Sequence, residues 1–190
     1  PYVSIPARYH RRPLAVPQFI TQRLPGSQQR NLTEPPQFVQ ELLLNEVKKQ
    51  RRLLIFLPTI KLIDTIGRNL VAWAELQGLR GACTHSRLDN RLEVKEKLNC
   101  NELDFAVVST IFERGITIAD LDVLVLYADF ETIFDSRTLI QIAGRVGRKG
   151  DWAQVWFVAE RISRSMKECV KQITDMNQEA QTLGYLDVTD

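Results

Sequence analysis

The densest run of chemistry-bearing residues in this chain is Gln141, Gly144, Arg145, Gly147 and Arg148. Arg145 and Arg148 stand three apart, so a helix would put them on one face. A guanidinium is planar, always charged and forked. That suits phosphate oxygens and the charge that builds on a transferring phosphoryl group. Each glycine costs a helix about 1 kcal/mol relative to alanine. Two in one turn therefore point to a backbone that a ligand must approach closely. The plainer alternative is a solvated basic turn.

Hydroxyls and an imidazole recur in a second pattern, each just after an apolar run. Thr59 follows Leu57 and Pro58, His85 and Ser86 follow Thr84, and Ser109 and Thr110 follow Val108. In open parallel sheets ligands bind beyond the carboxyl ends of the strands. Small hydroxyls and backbone N–H groups there can hold phosphates without reading a sequence. Each has an ordinary alternative: Thr59 and Thr110 as helix caps, His85 as a core or surface histidine. Their recurrence at successive strand ends favours the functional reading.

The elements that must position these residues alternate. Short unbroken apolar runs at Leu53–Leu57, Phe105–Val108, Leu121–Tyr127 and Val155–Val158, with a weaker one at Gly81–Thr84, read as strands buried on both faces. Between them lie helical stripes over 37–50, from Ile63 to Trp73, over 89–99 and over 136–146. A long terminal helix runs through Ile162, Met166, Val170, Ile173 and Met176. This predicts a three-layer α/β domain with right-handed crossovers.

Seven of the eight prolines lie within residues 1–36, with Arg8, Arg11, Arg12, Arg23 and Arg30 against a single acid, Glu34. Proline fixes φ and removes a donor, so this stretch reads as an extended lead-in with no helix or central strand. The chain begins at Pro1, without an initiator Met, and so reads as a fragment of a longer protein. Its 190 residues suit one domain. The 25 basic and 23 acidic residues nearly balance, so bulk charge gives no argument for nucleic acid. Cys83, Cys100 and Cys169 have no metal-ligand spacing and read as reduced, buried thiols. No run is long enough to span a bilayer.

Taken together, Gln141, Gly144, Arg145, Gly147 and Arg148 resemble motif VI of the superfamily-2 helicases. Ser109, Thr110, Glu113, Arg114, Gly115 and Thr117 resemble motif V. Leu54 to Thr59 resemble motif IV, and His85-Ser86 with Arg91 and Lys95 resemble the phosphate-contacting segment between. Within the superfamily, three stretches are similar to the ComFA family of late-competence DNA-uptake ATPases. These are Pro6–Pro17, Thr110–Thr117 leading into Gln141–Arg148, and Lys171–Asn177.

The resemblance implies a RecA-like second lobe over 37–190, with a mostly parallel sheet and with 1–36 arriving from a first lobe outside this chain. ATP with Mg²⁺ would sit between the lobes. Arg148 would be the arginine finger, Arg145 and Gln141 would hold phosphates, and Gly144 and Gly115 would lie against the nucleotide. Thr59, His85, Ser86 and Thr110 would face the backbone of single-stranded DNA. The implied partners are that DNA, the protein's own N-terminal lobe and other competence proteins such as ComFC, in the cytoplasm beside the uptake machinery. Zinc is implied only for a cysteine module in the N-terminal region.

Two departures matter. No stretch reads G-x-x-x-x-G-K-[ST], so this chain alone is expected to be inactive. Thr117 stands where DEAD-box relatives place a ribose-binding Asp. Asp122 and Asp129 flank a strand but are given no catalytic role. Two rivals stand beside this reading: a lobe of a replication-restart or repair helicase, and a docking module using the face of the terminal helix that carries Met166 and Met176.

Overall fold

A computed structural model describes residues 11–25, 35–110, 118–147 and 152–186. Six strands form one parallel sheet: β1 (Gln18–Thr21), β2 (Arg52–Phe56), β3 (Gly81–Thr84), β4 (Phe105–Val108), β5 (Leu121–Leu126) and β6 (Val155–Ala159). Their spatial order is β1-β6-β5-β2-β4-β3. The connecting helices are α1 (Gln37–Lys48), α2 (Ile60–Leu62), α3 (Arg68–Leu76), α4 (Arg91–Asn99), α5 (Ser136–Ala143) and α6 (Arg164–Thr182). A π-helical turn, Ile63–Gly67, joins α2 to α3.

The unbroken apolar runs have the expected cause, since alternate residues of each central strand enter different cores. Leu54, Phe56, Ala106, Val108, Val123, Val125 and Phe157 face the layer that contains α4, α5 and α6. Leu53, Ile55, Phe105, Val107, Leu124 and Val158 face the layer of α1, the π turn and α3. Met166 is buried and Met176 packs on the first of these cores. The methionine face of α6 is therefore spent on the sheet, which removes the basis for reading it as a docking face.

Two elements differ from the sequence expectation. The lead-in contributes β1, which pairs in parallel with β6 from Gln18↔Trp156 to Thr21↔Ala159. Pro17 and Pro25 bracket this four-residue strand, and its place at the sheet edge asks for hydrogen bonds on one side only. The helix expected over 136–146 stops at Ala143, where Gly144 is the C-cap. Gly147 then adopts φ +64°, the left-handed region that favours glycine. Arg145 therefore lies in a turn beyond α5, and Arg148, its expected partner on a shared helical face, lies outside the described residues.

Gly81 shows why the strand facing Phe105 is weakly apolar. A Cβ built there would lie 2.2 Å from Phe105 Cζ, and the ring is fully buried. Gly81→Ala is therefore expected to cost about 1–3 kcal/mol through displacement of the ring. A lowered urea midpoint with an unchanged slope would report this, and an unchanged midpoint would show that β3 can slide away from the ring at no cost.

Candidate functional site

Strand register aligns the carboxyl ends of the sheet. Thr84 pairs with Val108, Val108 with Phe56, Phe56 with Val125, Val125 with Phe157 and Phe157 with Phe19. One row thus crosses all six strands, and the residues that follow it share an edge. On that edge lie Thr59 after β2, Ser86 after β3 and Thr110 after β4, as the sequence pattern suggests.

Thr59 has extended backbone and caps α2, its Oγ1 accepting from the Leu62 N–H at 3.3 Å. The cap does not exhaust the hydroxyl, which keeps its own proton for an external acceptor. Both the cap reading and the phosphate reading are therefore compatible at this residue. Ser109 and Thr110 are half-buried and Ser86 is exposed.

His85 is placed differently from the expectation that it faces a DNA backbone. Its imidazole is 4% exposed. Nδ1 accepts from the Arg87 N–H at 3.3 Å, and Nε2 lies 3.5 Å from Asp64 Oδ1. Arg68 donates to that same Asp64 oxygen at 3.1 and 3.0 Å. Asn90 closes the turn: its Oδ1 accepts from Thr84 Oγ1 at 2.8 Å and its Nδ2 donates to the Cys83 carbonyl at 3.2 Å. The imidazole shapes this turn from inside, and Ser86 and Arg87 are what it presents to solvent. Sequence reading missed Arg87 and Asn90. An Asn closing a tight turn after a strand is a recognisable signal, while Arg87 carried none.

Two neighbours stiffen the edge. Tyr127 ends β5 with φ +57°, an unusual conformation for a bulky residue. Its Oη donates to the Pro25 carbonyl at 2.6 Å, fastening the segment after β1 to β5. Burial, with Glu160 adding to it, pushes the phenol up to about 12, and burial likewise pushes the Cys83 thiol up to about 12. Both stay protonated at neutral pH.

The turn that holds Arg145 lies elsewhere. A crossover helix runs antiparallel to the strands, and the eight residues of α5 rise about 12 Å. It starts beyond the carboxyl end of β5, capped by Asp135, whose Oδ1 accepts from the Thr138 N–H at 2.7 Å. It ends near the opposite edge, where Val146 and Gly147 line a cavity with Trp152, which precedes β6, and Leu14, which precedes β1. Gln141 is exposed on α5, while Gly144 and Arg145 are half-buried in the turn after it. The hydroxyl edge and the arginine turn are thus two places. Sequence spacing could not separate them, because it does not give the direction in which a helix carries its last turn. Arg148 and Gly115 lie outside the described residues.

Hydroxyls, an amide and guanidinium groups suit phosphate oxygens, whereas a divalent cation needs carboxylate or carbonyl oxygens. Among the described residues no group of three or more His, Cys, Asp or Glu is arranged to hold a metal ion. No described helix is long and apolar enough to cross a membrane.

Comparison with known proteins places this geometry in context. The model of the helicase conserved C-terminal domain matches residues 34–150. Competence protein ComFA of Bacillus subtilis is 31% identical over 183 residues, covering 93% of this chain and 37% of that protein. ComFA of Streptococcus pneumoniae is 30% identical over 185 residues, covering 94% and 41%. The chain thus spans about two fifths of the length of these relatives. UvrABC system protein B of Metamycoplasma arthritidis is 30% identical over 133 residues, covering 68% of this chain and 19% of that protein. Among solved structures, Mycobacterium smegmatis helicase Lhr bound to ssDNA and AMP-PNP superposes with a TM-score of 0.61 at 17% identity. That match covers 87% of this chain and 22% of the other, and it shows a shared RecA-like fold.

Proposed function

The chain belongs to the helicase conserved C-terminal domain family, and is a superfamily-2 helicase lobe with sequence similarity to ComFA; from that premise we propose that it is the second motor lobe of an ATP-driven single-stranded DNA translocase serving DNA uptake in natural competence. The observation that carries the proposal is the reach of the ComFA similarity. It covers 93% of the chain, whereas the family model stops at 34 and 150, so the likeness includes the lead-in and α6.

In this proposal the two places have two tasks. The hydroxyl edge grips DNA through its phosphates: Thr59, Ser86 and Thr110 donate to phosphate oxygens, Arg87 adds charge, and His85 holds the turn. The arginine turn faces a nucleotide bound against the preceding lobe. Arg148 stabilises the charge developing on the γ-phosphoryl group, Arg145 and Gln141 hold phosphate oxygens, and Gly144 and Gly115 give room for close approach. ATP and the ligands of its Mg²⁺ come with the preceding lobe, as would any zinc module, so this chain alone does not turn over ATP. Other competence proteins, ComFC among them, are the proposed partners of the whole assembly.

Backbone gripping makes DNA affinity insensitive to sequence and sensitive to salt, with a logarithmic slope of about −0.7 per neutralised phosphate. In the intact protein, the combined Thr59→Ala, Ser86→Ala and Thr110→Ala change is expected to abolish most of the stimulation of ATP turnover by single-stranded DNA, leaving turnover without DNA in place. Undiminished stimulation would place the grip elsewhere. A second reading, a lobe working in DNA repair or replication restart, draws support from the similarity to UvrABC system protein B. Transformation frequency in a deletion strain separates the two, since only the first reading requires loss of DNA uptake.

A further inference from the structure

Two of the loops assigned to the DNA grip are not neighbours. Thr59 follows β2, Ser86 and Arg87 follow β3, and β4 lies between those strands. The two loops are nonetheless joined. Asp64, five residues after Thr59, belongs to the π-helical turn Ile63–Gly67, and its Oδ1 lies 3.5 Å from His85 Nε2. A π turn holds one residue more than an α turn, a rare device that concentrates at functional sites. Gly67 lets this one sit close to the sheet: a Cβ there would stand 3.0 Å from Val107 Cγ1 on β4 and 3.1 Å from Cys83 Sγ on β3. The π turn is thereby seated against β3 just before that strand reaches His85.

The partners of the imidazole fix where its proton sits. A neutral imidazole has one donor and one acceptor nitrogen. Nδ1 accepts from the Arg87 N–H at 3.3 Å, so the proton is on Nε2. Nε2 is buried and has no hydrogen-bond partner among the described residues; the Asp64 carboxylate, 3.5 Å away, is the charge that faces its proton. That separation is longer than a hydrogen bond, yet the attraction is little screened because the imidazole is buried. Arg68 donates twice to the same carboxylate oxygen and holds it in place. Without Asp64 the ring is free to carry its proton on Nδ1. Nδ1–H would then meet the Arg87 N–H, donor against donor, and the turn that presents Ser86 and Arg87 would open.

We infer that Asp64 is a positioning residue for the DNA grip: by fixing the His85 tautomer it locks the Ser86–Arg87 turn, and it ties that turn, across β4, to the element that Thr59 caps. This role rests on the one proposed above for the hydroxyl edge. Its effect has a distinctive sign. An acid beside a surface that binds phosphates opposes binding through its charge, so by charge alone the loss of Asp64 would tighten the grip. Positioning requires the reverse.

The test uses the intact protein, a single-stranded oligothymidine and two readouts: affinity over a range of salt, and the nitrogen NMR signals of the His85 ring. Asp64→Ala is expected to weaken binding about 10- to 100-fold, the scale of one hydrogen bond to a charged group. It flattens the logarithmic salt slope by about 0.7, one phosphate contact, and moves the Nδ1 signal toward the protonated position. Asp64→Asn removes the same charge but keeps an oxygen for Nε2–H and Arg68, so tautomer, slope and affinity stay close to the wild type. Added to the combined Ser86→Ala and Arg87→Ala change, Asp64→Ala costs no further affinity, because it acts through that turn. Tighter binding by Asp64→Ala overturns the inference, and so does an unmoved tautomer or a full further loss in the combined background. Should the combined change itself leave affinity intact, the phosphate grip fails at this turn and the inference falls with it. A loss there beside an unaffected Asp64→Ala leaves the grip standing and sinks the role of Asp64 alone. His85→Gln, which puts no acceptor where Nδ1 stands, carries the same expectations for affinity and slope where Asp64→Ala fails to fold.

Discussion

Arg148→Ala in the intact protein is expected to lower DNA-stimulated ATP turnover by about 10³- to 10⁵-fold, the range over which arginine fingers act. The reason is differential. A guanidinium aimed at a γ-phosphoryl group gains most when charge spreads over its equatorial oxygens, so its loss falls on kcat rather than on nucleotide affinity. ATP is therefore expected to bind the variant nearly as well, with single-stranded DNA affinity unchanged, since in the proposed division of tasks the phosphate grip belongs to the hydroxyl edge. Arg148→Lys is not expected to restore turnover, because a point charge lacks the planar fork. Steady-state kinetics with and without DNA, beside equilibrium nucleotide binding, read all of this. Equal losses in binding and turnover would make Arg148 a ground-state phosphate ligand, and unchanged turnover would assign the finger to another residue.

The second large effect is on stability and lies away from the hydroxyl edge. Asp122, near the start of β5, is fully buried. It accepts from Arg51 Nη2 at 2.8 Å and also from Arg51 Nε, and from the Gln154 N–H at 2.6 Å. Burial pushes its carboxyl above the usual carboxylate range, against the downward pull of Arg51 and Gln154, and the nearby Glu46 carboxyl adds to the upward push. Arg51→Met removes the main compensation and leaves a buried charge, which is expected to cost about 3–5 kcal/mol at pH 7.

That cost depends on pH in a defined sense. A carboxyl whose folded pKa lies above its unfolded value binds more protons in the folded state, so its contribution is lost as pH rises through the folded pKa. The variant raises that pKa further. Its deficit against the wild type is therefore largest at neutral pH and shrinks as pH falls through the raised range toward the unfolded carboxylate value. Urea midpoints of both chains at several pH values measure it. A deficit that is constant with pH would mean that lost packing of the Arg51 stem, and no stranded charge, is the cause. Replacing both partners with apolar residues is expected to recover part of the loss, because no charge is then left buried.

Asp122 illustrates what spacing can and cannot say. In sequence it is an acid beside an apolar run, and only the register Leu53↔Asp122 with the approach of Arg51 makes it a structural ion pair. His85 shows the same limit from the opposite side. Its place after β3 was legible, but whether an imidazole at a strand end points outward depends on Arg87 and Asp64, which reach it from the turn and from the π-helical turn after α2.

The sequence by itself determined the layered α/β class, five of the six strands, the order of helices and the set of residues at the strand ends. These follow from local rules: unbroken apolar runs mean strands covered on both faces, 3.6-residue stripes mean helices, and strand ends are where parallel sheets expose polar groups. Tertiary structure alone decided the rest. β1 becomes a strand only because β6 offers an edge to a proline-bracketed segment. The hydroxyl edge and the arginine turn separate because α5 carries its end back across the sheet. Leu14 meets Asn177 because the lead-in and α6 share one face of the core. Each depends on contacts between residues far apart in the chain, and such contacts leave no periodic trace in the sequence for local rules to read.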